Sequence, residues 1–328
     1  SERDPSVPVR LAELMIEAGL PPGVLNVVHG DKDTVEAILR HPTIKAVSFV
    51  GSSDIAQSVY ALGAQHGKRV QAMGGPKNHG IVLADPDLDQ TVADLIGAAY
   101  GSAGERCMAL PVVVPVGQAT ADALRDKLVV AIQGLRIGPS TDPQAHYGPV
   151  INAAHRSRIE AYLQLGVDEG AELVLDGRGF SLPGHEDGFF LGPSLFDHVT
   201  ADMKTYHEEI FGPVLQIVRA ETFDDALALA SRHQYGNGVA IFTRNGDAAR
   251  EFADRVGLVT SCRSRCRSST TASAAGSVPA SATSTSTVWT ACASTRGPRP
   301  SPSAGRRAVR CPTRASSSRR CAEHRQGG

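Results

Sequence analysis

The stretch IKAVSFVGSSDIAQSVYALGAQHGKRVQAM, residues 44–73, decides the fold. Its first nine residues are a short apolar run that ends in Gly-Ser, a pattern typical of a buried strand followed by a turn. Residues 53–67 have helical spacing, with Asp54 in the first turn, where an acidic side chain favours the helix dipole. KRVQAM at 68–73 is a second strand. Strand, helix and strand in this order predict a parallel pair joined by a crossover helix.

The same alternation continues on both sides of this stretch. Further strands are predicted at 24–30, 79–85, 110–117, 171–177, 213–220 and 238–245. Further helices are predicted at 9–19, 31–42, 88–103, 120–135, 153–170, 222–234 and 246–256. The sequence therefore predicts an α/β protein whose parallel sheet carries helices on both faces, built as two units that join near residues 74–80.

Composition excludes several classes of function. The formal net charge is −1 and no apolar run approaches the roughly 20 residues that span a bilayer, so neither nucleic acid nor a membrane is an expected partner. Cys107 is the only cysteine in the first 261 residues, which excludes a disulfide framework there and favours a reducing compartment. The chain has neither a secretory leader nor an initiator Met, so we expect it to begin inside a longer protein.

Residues 261–328 differ from the rest of the chain. They contain no Leu, Ile, Phe, Tyr, Lys, Asn or Asp, and twelve Arg face a single Glu. Ser, Thr, Ala and Pro fill most of the remainder. Because such a segment has almost nothing with which to build a core, we predict that it is disordered.

The lone cysteine lies in GSAGERCMAL, residues 101–110. Gly101, Ala103 and Gly104 allow a sharp bend or a close approach of the backbone to a ligand, and Arg106 could help to hold Cys107 as a thiolate. From the residues alone two interpretations stay open. Cys107 is either a nucleophile or a small buried side chain at the end of a helix.

Four motifs in order resemble the aldehyde dehydrogenase superfamily and together span residues 1–260. They are the nucleophile loop GSAGERCMAL, the adenosine-side segment SERDP at 1–5, the pyrophosphate turn FVGSS at 49–53 and the nicotinamide-ribose segment EEIFGPVL at 208–215. The resemblance implies residues 1–78 as the C-terminal part of a Rossmann-type NAD-binding domain and 79–260 as the catalytic domain. It also implies Cys107 as the catalytic nucleophile.

The resemblance further implies a role for each matching position. Arg106 would bind a substrate carboxylate, with a solvated surface arginine as the alternative. The cofactor NAD would be bound by residues on the adenosine side, at the pyrophosphate and around the nicotinamide: Glu2, Arg3, Gly51, Ser52, Gly74, Glu209 and Phe211. Ser52 could equally be a plain helix N-cap, and Glu209 a surface carboxylate. His79 and His207 lack metal-ligand spacing, so no metal is predicted.

RVQAMGGPKNH at 69–79 and GERCMAL at 104–110 resemble the CoA-acylating methylmalonate-semialdehyde dehydrogenase branch. Met73 stands where hydrolytic members of the superfamily have a general-base Glu, and Met cannot activate water. The resemblance implies transfer of the acyl group from Cys107 to CoA, with methylmalonate or malonate semialdehyde as substrate. It also implies a homotetramer or homodimer in the bacterial cytoplasm or the mitochondrial matrix. Lys77 and Asn78 are typical of this branch, but their sequence context assigns them no role.

Two alternatives stay open: a hydrolytic aldehyde dehydrogenase, and a non-catalytic fragment that binds a nucleotide or a subunit. The family segments expected after residue 260 are missing, but codons allowed for 261–277 and 289–305, read one base out of frame, encode MPIPVPVVDYSFGGWK and DGVRFYTRPKTVTVRW. We therefore predict a frameshift near Thr260. A chain that lacks these segments is expected to be unstable or aggregated, and inactive.

Overall fold

Two separate sheets carry the fold in the computed structural model, which describes residues 2–256 and the backbone of 272–274. The smaller sheet pairs β1 (Ala46–Val50) with β2 (Arg69–Met73) in parallel, and α3 (Ser53–Gln65) connects them as predicted. Its small core contains Leu39, Ala56, Val59 and Ala72, which α2 (Lys32–Arg40), α3 and β2 contribute. The helix α1 (Ser6–Glu17) precedes this unit and buries none of its residues.

The larger sheet has seven strands in the order β5-β6-β7-β4-β3-β8-β9. Every pairing in it is parallel except that of β5 with β6. The strands are β3 (His79–Val82), β4 (Val112–Pro115), β5 (Glu172–Leu175), β6 (Ser194–Asp197), β7 (Val214–Ile217), β8 (Val239–Phe242) and β9 (Ala272–Ala274). All residues of the inner strands β3, β4, β6 and β7 are buried, as expected for parallel strands covered on both faces.

Helices cover this sheet and share the main core with its strands. They are α4 (Leu88–Tyr100), α5 (Gln118–Gln133), α6 (Ala153–Asp168), α7 (Lys204–His207), α8 (Phe223–Arg232) and α9 (Gly246–Arg255). Side chains that accept backbone N–H bonds cap four of them, a common way to satisfy the first turn: Asp87 for α4, Asn152 for α6, Thr222 for α8 and Asn245 for α9. None of the described helices is long and apolar enough to cross a membrane.

The structure corrects the sequence-based prediction at three places. Residues 24–30 are not a strand, because within the described chain they pair with no neighbour, and Val24 and Val28 are exposed. The sheet is not wholly parallel, because β5 runs antiparallel to β6. The strand β6 and the short helix α7 were not predicted at all.

The two sheets and their cores fall on either side of the predicted domain boundary at residue 78, which stays a prediction. Strand β9 lies within 261–328, so the prediction of disorder does not apply to its three residues. The rest of that segment lies outside the described residues.

Candidate active site

The glycine turns that follow β1 and β2 lie side by side at the carboxyl edge of the small sheet, where open α/β sheets bind ligands. Val50 and Met73 are paired at the ends of the two strands, and Gly51 N donates to Met73 O at 3.1 Å. A second bond closes this edge: Gly75 N donates to Ser53 Oγ at 3.1 Å. The two turns therefore form one continuous rim.

Ser52 is the N-cap residue of α3, but its side chain accepts no bond from the first turn. The plain N-cap interpretation of Ser52 is therefore not what the structure shows, although its position is that of a cap. Gly51 and Gly74 both have close neighbours. A Cβ at Gly51 would lie 2.6 Å from the Phe49 ring, and one at Gly74 would lie 3.1 Å from Ser53 Cα.

The carboxylate of Glu209 packs against the backbone of Gly75, where a Cβ would lie 2.1 Å from Glu209 Oε2. Glu209 is half-buried, so it is not a simple surface carboxylate. Burial raises its pKa to about 7, and the nearby charges of Lys77 and Arg158 oppose this rise. This contact brings Glu209 to the rim that carries Gly51 and Gly74.

Lys77 is a buried cation behind this rim, with 1% of its surface exposed. Its Nζ donates to the backbone carbonyls of Thr205 at 3.0 Å and Glu208 at 2.8 Å. Burial lowers its pKa to about 7, while the carboxylates of Glu209 and Glu208 act in the opposite direction. Lys77 therefore holds the segment that ends in Glu209.

The nucleophile turn, residues 101–107, leaves α4 through three consecutive left-handed residues. Ser102, Ala103 and Gly104 have φ values of 54°, 55° and 72°. Such a run is costly for residues with a Cβ and is typical of functional sites. At Gly104 a Cβ would lie 2.1 Å from Gly212 O, so only glycine fits there.

Cys107 emerges from this turn as an exposed free thiol. The interpretation of Cys107 as a buried side chain at a helix end is therefore wrong. Arg106 is exposed beside it, and its Nε donates to Ser102 Oγ at 3.1 Å. The rest of the guanidinium lies over Gly101, where a Cβ would be 2.6 Å from Nη1.

Two asparagine side chains hold the backbone of the nucleophile. Asn78 Nδ2 donates to Cys107 O at 3.0 Å, and Asn237 Nδ2 donates to the same oxygen at 3.1 Å. Asn78 is buried and Asn237 lies on the loop before β8. Both side chains thus contact Cys107 from outside its own loop.

Phe211 also has a left-handed backbone, with φ 59°. The ring of His155 lies edge-on to it at 6.3 Å, and His155 Nε2 is 2.7 Å from Phe211 O. The same nitrogen lies 3.2 Å from Glu105 Oε1. Partial burial raises the pKa of Glu105. Because His155 contacts both Glu105 and Phe211, it links the nucleophile turn to the Phe211 segment.

A small cleft brings three of the predicted site residues together, because Arg106, Glu209 and Phe211 all line it. Lys77 and Pro76 form part of its wall. The other predicted site residues do not line this cleft. Cys107 follows Arg106 along the chain, Gly51, Ser52 and Gly74 lie at the strand ends, and Glu2 and Arg3 precede α1. Glu2 and Arg3 are exposed, with 3.9 Å between Arg3 Nε and Glu2 Oε1.

Of the two histidines named by the sequence analysis, His207 is exposed and His79 is part of the core. His79 is buried, with Nδ1 2.8 Å from Lys77 O and Nε2 2.8 Å from Tyr206 Oη. Burial, with His233 nearby, lowers the pKa of His79 to about 3, so it stays neutral. Among the described residues, Glu172, Asp197 and His198 are close enough to share an ion, but Arg219 already binds both oxygens of Asp197.

Sequence reasoning missed Asn237, Glu105 and His155, and it gave Lys77 and Asn78 no role. No local signal could have found the contacts of Asn237, since 130 residues separate it from Cys107. For Lys77 and Asn78 a signal existed: a Lys-Asn pair directly before a buried strand must find partners for its polar groups.

The sequence profile of the aldehyde dehydrogenase family matches residues 1–275. A malonate-semialdehyde dehydrogenase from Pseudomonas aeruginosa is 56% identical over 256 residues, which are 78% of this chain and 52% of that protein. A Drosophila melanogaster protein named as a probable mitochondrial, acylating methylmalonate-semialdehyde/malonate-semialdehyde dehydrogenase is 50% identical over 256 residues, 78% of this chain and 49% of that protein.

A solved structure is similar as well. A Sinorhizobium meliloti 1021 protein assigned as a methylmalonate-semialdehyde dehydrogenase, crystallised with NAD, is 60% identical and superposes with a TM-score of 0.76, covering 78% of this chain and 52% of its own. The chain thus spans about half the length of the relatives it matches. The extent of the profile match, together with these identities, leads to one conclusion: the chain belongs to the aldehyde dehydrogenase family.

Proposed function

We propose that this site serves NAD-dependent oxidation of a carboxylate-bearing semialdehyde, with transfer of the acyl group from Cys107 to CoA. The observation that carries the proposal is the exposed thiol of Cys107, which directly follows Arg106, a residue that lines a cleft together with Glu209 and Phe211. The names of the relatives support malonate or methylmalonate semialdehyde as the substrate.

The residues present fit the cofactor that the family implies. Ser52 leaves the first-turn amides of α3 uncapped, and such amides suit an anionic pyrophosphate. Glu209 stands beside Gly75 on the same rim, where a carboxylate can accept bonds from ribose hydroxyls. We propose Gly51, Ser52, Gly74, Glu209 and Phe211 as the cofactor-binding residues, with Glu2 and Arg3 on the adenosine side. When bound, NAD⁺ accepts the hydride of the reaction.

Cys107 carries the covalent chemistry. Its thiolate adds to the aldehyde carbon and forms a C–S bond, and the carbonyl oxygen becomes an oxyanion that the Cys107 backbone N–H helps to stabilise. Loss of the hydride from that carbon restores the C=O bond and leaves a thioester on Cys107. The Arg106 guanidinium would hold the substrate carboxylate, for which its fork geometry is suited.

The thioester is then resolved by a second thiol. The substrate carboxylate leaves as CO₂, a proton from solvent replaces it, and the CoA thiolate attacks the thioester carbonyl and displaces Cys107. The products are acetyl-CoA from malonate semialdehyde and propionyl-CoA from the methyl homologue. Met73, at the end of β2, offers no base for water, which favours CoA over hydrolysis.

The test is NADH formation from both semialdehydes with and without CoA, using the 328-residue chain and a version whose residues from 261 onward are read in the alternative frame. We expect CoA-dependent turnover in the second protein and none in the first. Turnover that ignores CoA would support the hydrolytic alternative. If neither protein forms NADH and neither binds NAD⁺, the proposal fails.

The variant Cys107→Ser provides the matched control. It is made in the protein whose residues from 261 onward are read in the alternative frame. Because Cys107 is exposed, the variant removes the nucleophile without disturbing packing, so NADH formation should be lost while the melting temperature is unchanged. If the variant forms NADH at the same rate as the unmutated protein, another group carries the chemistry.

A further inference from the structure

The carboxamide of Asn78 joins three parts of the chain beneath the nucleophile turn. Its Nδ2 donates to Cys107 O at 3.0 Å and to Ala109 O at 2.7 Å, and its Oδ1 accepts from Gly238 N at 2.8 Å. The side chain is 1% exposed, so water does not compete for these bonds. A side-chain amide can meet this demand because it carries two donors and an acceptor in one planar group.

Asn237 reinforces the same anchor. Its Nδ2 donates to Cys107 O at 3.1 Å, and its backbone N–H donates to Asn78 Oδ1 at 3.3 Å. The carbonyl of Cys107 is therefore held by two amides, one from the residue directly before β3 and one from the loop before β8. Since the peptide group is planar, holding this carbonyl holds the plane of the peptide bond between Cys107 and Met108 and so restricts ψ at Cys107.

The loop needs such an anchor because its upstream part is strained. Ser102, Ala103 and Gly104 are all left-handed, a conformation that persists only when its surroundings impose it. Downstream, the side chains of Cys107 and Met108 are exposed and gain little from packing. The hydrogen bonds to Asn78 and Asn237 are thus contacts that can set the direction of the thiol.

We propose that Asn78, supported by Asn237, is a positioning residue for the nucleophile Cys107. It acts through the Cys107 carbonyl, which orients the backbone and so determines where Sγ is presented. The inference rests on the proposed function for the role of Cys107, whereas the anchor itself can be measured without turnover.

The test measures alkylation of Cys107 in the 328-residue chain by a small reagent, iodoacetamide, and by a bulkier one, N-ethylmaleimide. Trypsin cleaves after Arg106 and Arg125, so mass spectrometry follows Cys107 on its own peptide, apart from the other cysteines. The ratio of the two rate constants is compared with that of the synthetic peptide 107–125. A fixed thiol discriminates between the reagents by geometry, whereas a free one does not.

We expect the ratio in the unmutated chain to differ from that of the peptide by at least roughly threefold. Asn78→Ala and Asn78→Asp should both move it towards the peptide value. Asn78→Asp is the decisive variant, because it keeps the oxygen that accepts from Gly238 and loses the donors to Cys107 and Ala109. Ser194→Ala, which removes a buried bond from Gly177 N–H to Ser194 Oγ elsewhere in the sheet, should leave the ratio unchanged.

Two results would overturn the proposal: an unmutated chain whose ratio equals that of the peptide, or a folded Asn78→Asp variant that keeps the unmutated ratio. If the Asn78 variants fail to fold by circular dichroism, Asn237→Ala decides instead. Its side chain is exposed, and it should shift the ratio in the same direction by a smaller factor, so an unchanged ratio there overturns the proposal. Failure of the proposed function would appear only in the NADH assay and would leave these ratios intact.

Discussion

Lys77 and Glu209 are opposite charges whose burial moves their pKa values into the same range. The pKa of Lys77 falls from 10.5 to about 7, and that of Glu209 rises from 4.5 to about 7. Between pH 4.5 and 7 the folded state holds more protons than the unfolded state at Glu209, so stability falls as pH rises. Between pH 7 and 10.5 it holds fewer at Lys77, so stability rises.

We therefore expect the contribution of this pair to the free energy of unfolding to be smallest near pH 7. Above that pH, Lys77→Met should abolish a rise of up to about 4 kcal/mol, at about 1.4 kcal/mol per pKa unit. Glu209→Gln should abolish the fall in the free energy of unfolding between pH 4.5 and pH 7. Urea unfolding from pH 5 to pH 10 measures both slopes, with the exposed lysine variant Lys127→Met as the control. A difference between Lys77→Met and the unmutated chain that does not vary with pH would contradict this assignment.

Arg106 offers a prediction about specificity. Its guanidinium is exposed at the cleft, where we propose that it binds the substrate carboxylate, so Arg106→Gln should raise KM for a semialdehyde acid by roughly tenfold or more. Oxidation of an uncharged aldehyde of similar size should not change. The measurement is steady-state kinetics on the active protein, with the exposed Arg136→Gln as the matched variant. An equal loss with both substrates would mean that Arg106 serves the turn rather than the substrate.

At the scale of elements, the turn between α4 and Cys107 is the most demanding piece of backbone. Gly104→Ala would place a methyl group against Gly212 O and force a left-handed alanine. We expect it to lower the free energy of unfolding by more than about 2 kcal/mol. Gly67→Ala provides the comparison, because Gly67 has nearly the same φ, 69° against 72°, but a Cβ there meets nothing within 4 Å.

Gly67→Ala should cost only about 1 kcal/mol, the conformational part alone. Urea unfolding of both variants separates conformational strain from the steric clash with the Gly212 segment. Equal losses would show that the contact between Gly104 and Gly212 adds nothing beyond backbone conformation.

The elements also show where sequence patterns suffice. Long periodic helices and continuous apolar strands were predicted because their own residues determine them, as in α3 and β4. β6 was missed because its residues, SLFD, begin and end on polar side chains and give no continuous apolar run, unlike the equally short β4. Residues 24–30 were predicted wrongly because an apolar run becomes a strand only beside a partner. Cys107 was found through its motif. Its anchor at Asn78 depends on a contact 29 residues away that only the assembled sheet creates.

At the scale of the whole molecule, the described chain carries apolar side chains that nothing in it covers. The helix α1 has none of its residues buried, and Leu11 and Met15 are 50% and 42% exposed on one side of it. The segment that follows adds further exposed aliphatic residues: Val24, Leu25, Val27 and Val28. Exposed apolar patches are a common feature of association sites.

We therefore expect the 328-residue chain to self-associate, and Leu11→Lys with Met15→Lys to shift it towards monomer without loss of helix. The two positions are one helical turn apart, so the charges interrupt a single stripe, and burial elsewhere is unaffected because α1 contributes nothing to either core. Sedimentation velocity over a range of concentrations measures the change. Val130→Lys, on α5 and 72% exposed, tests whether any added charge has this effect. If the variant with both Leu11→Lys and Met15→Lys sediments as the unmutated chain does, the chain associates through a surface other than the exposed face of α1.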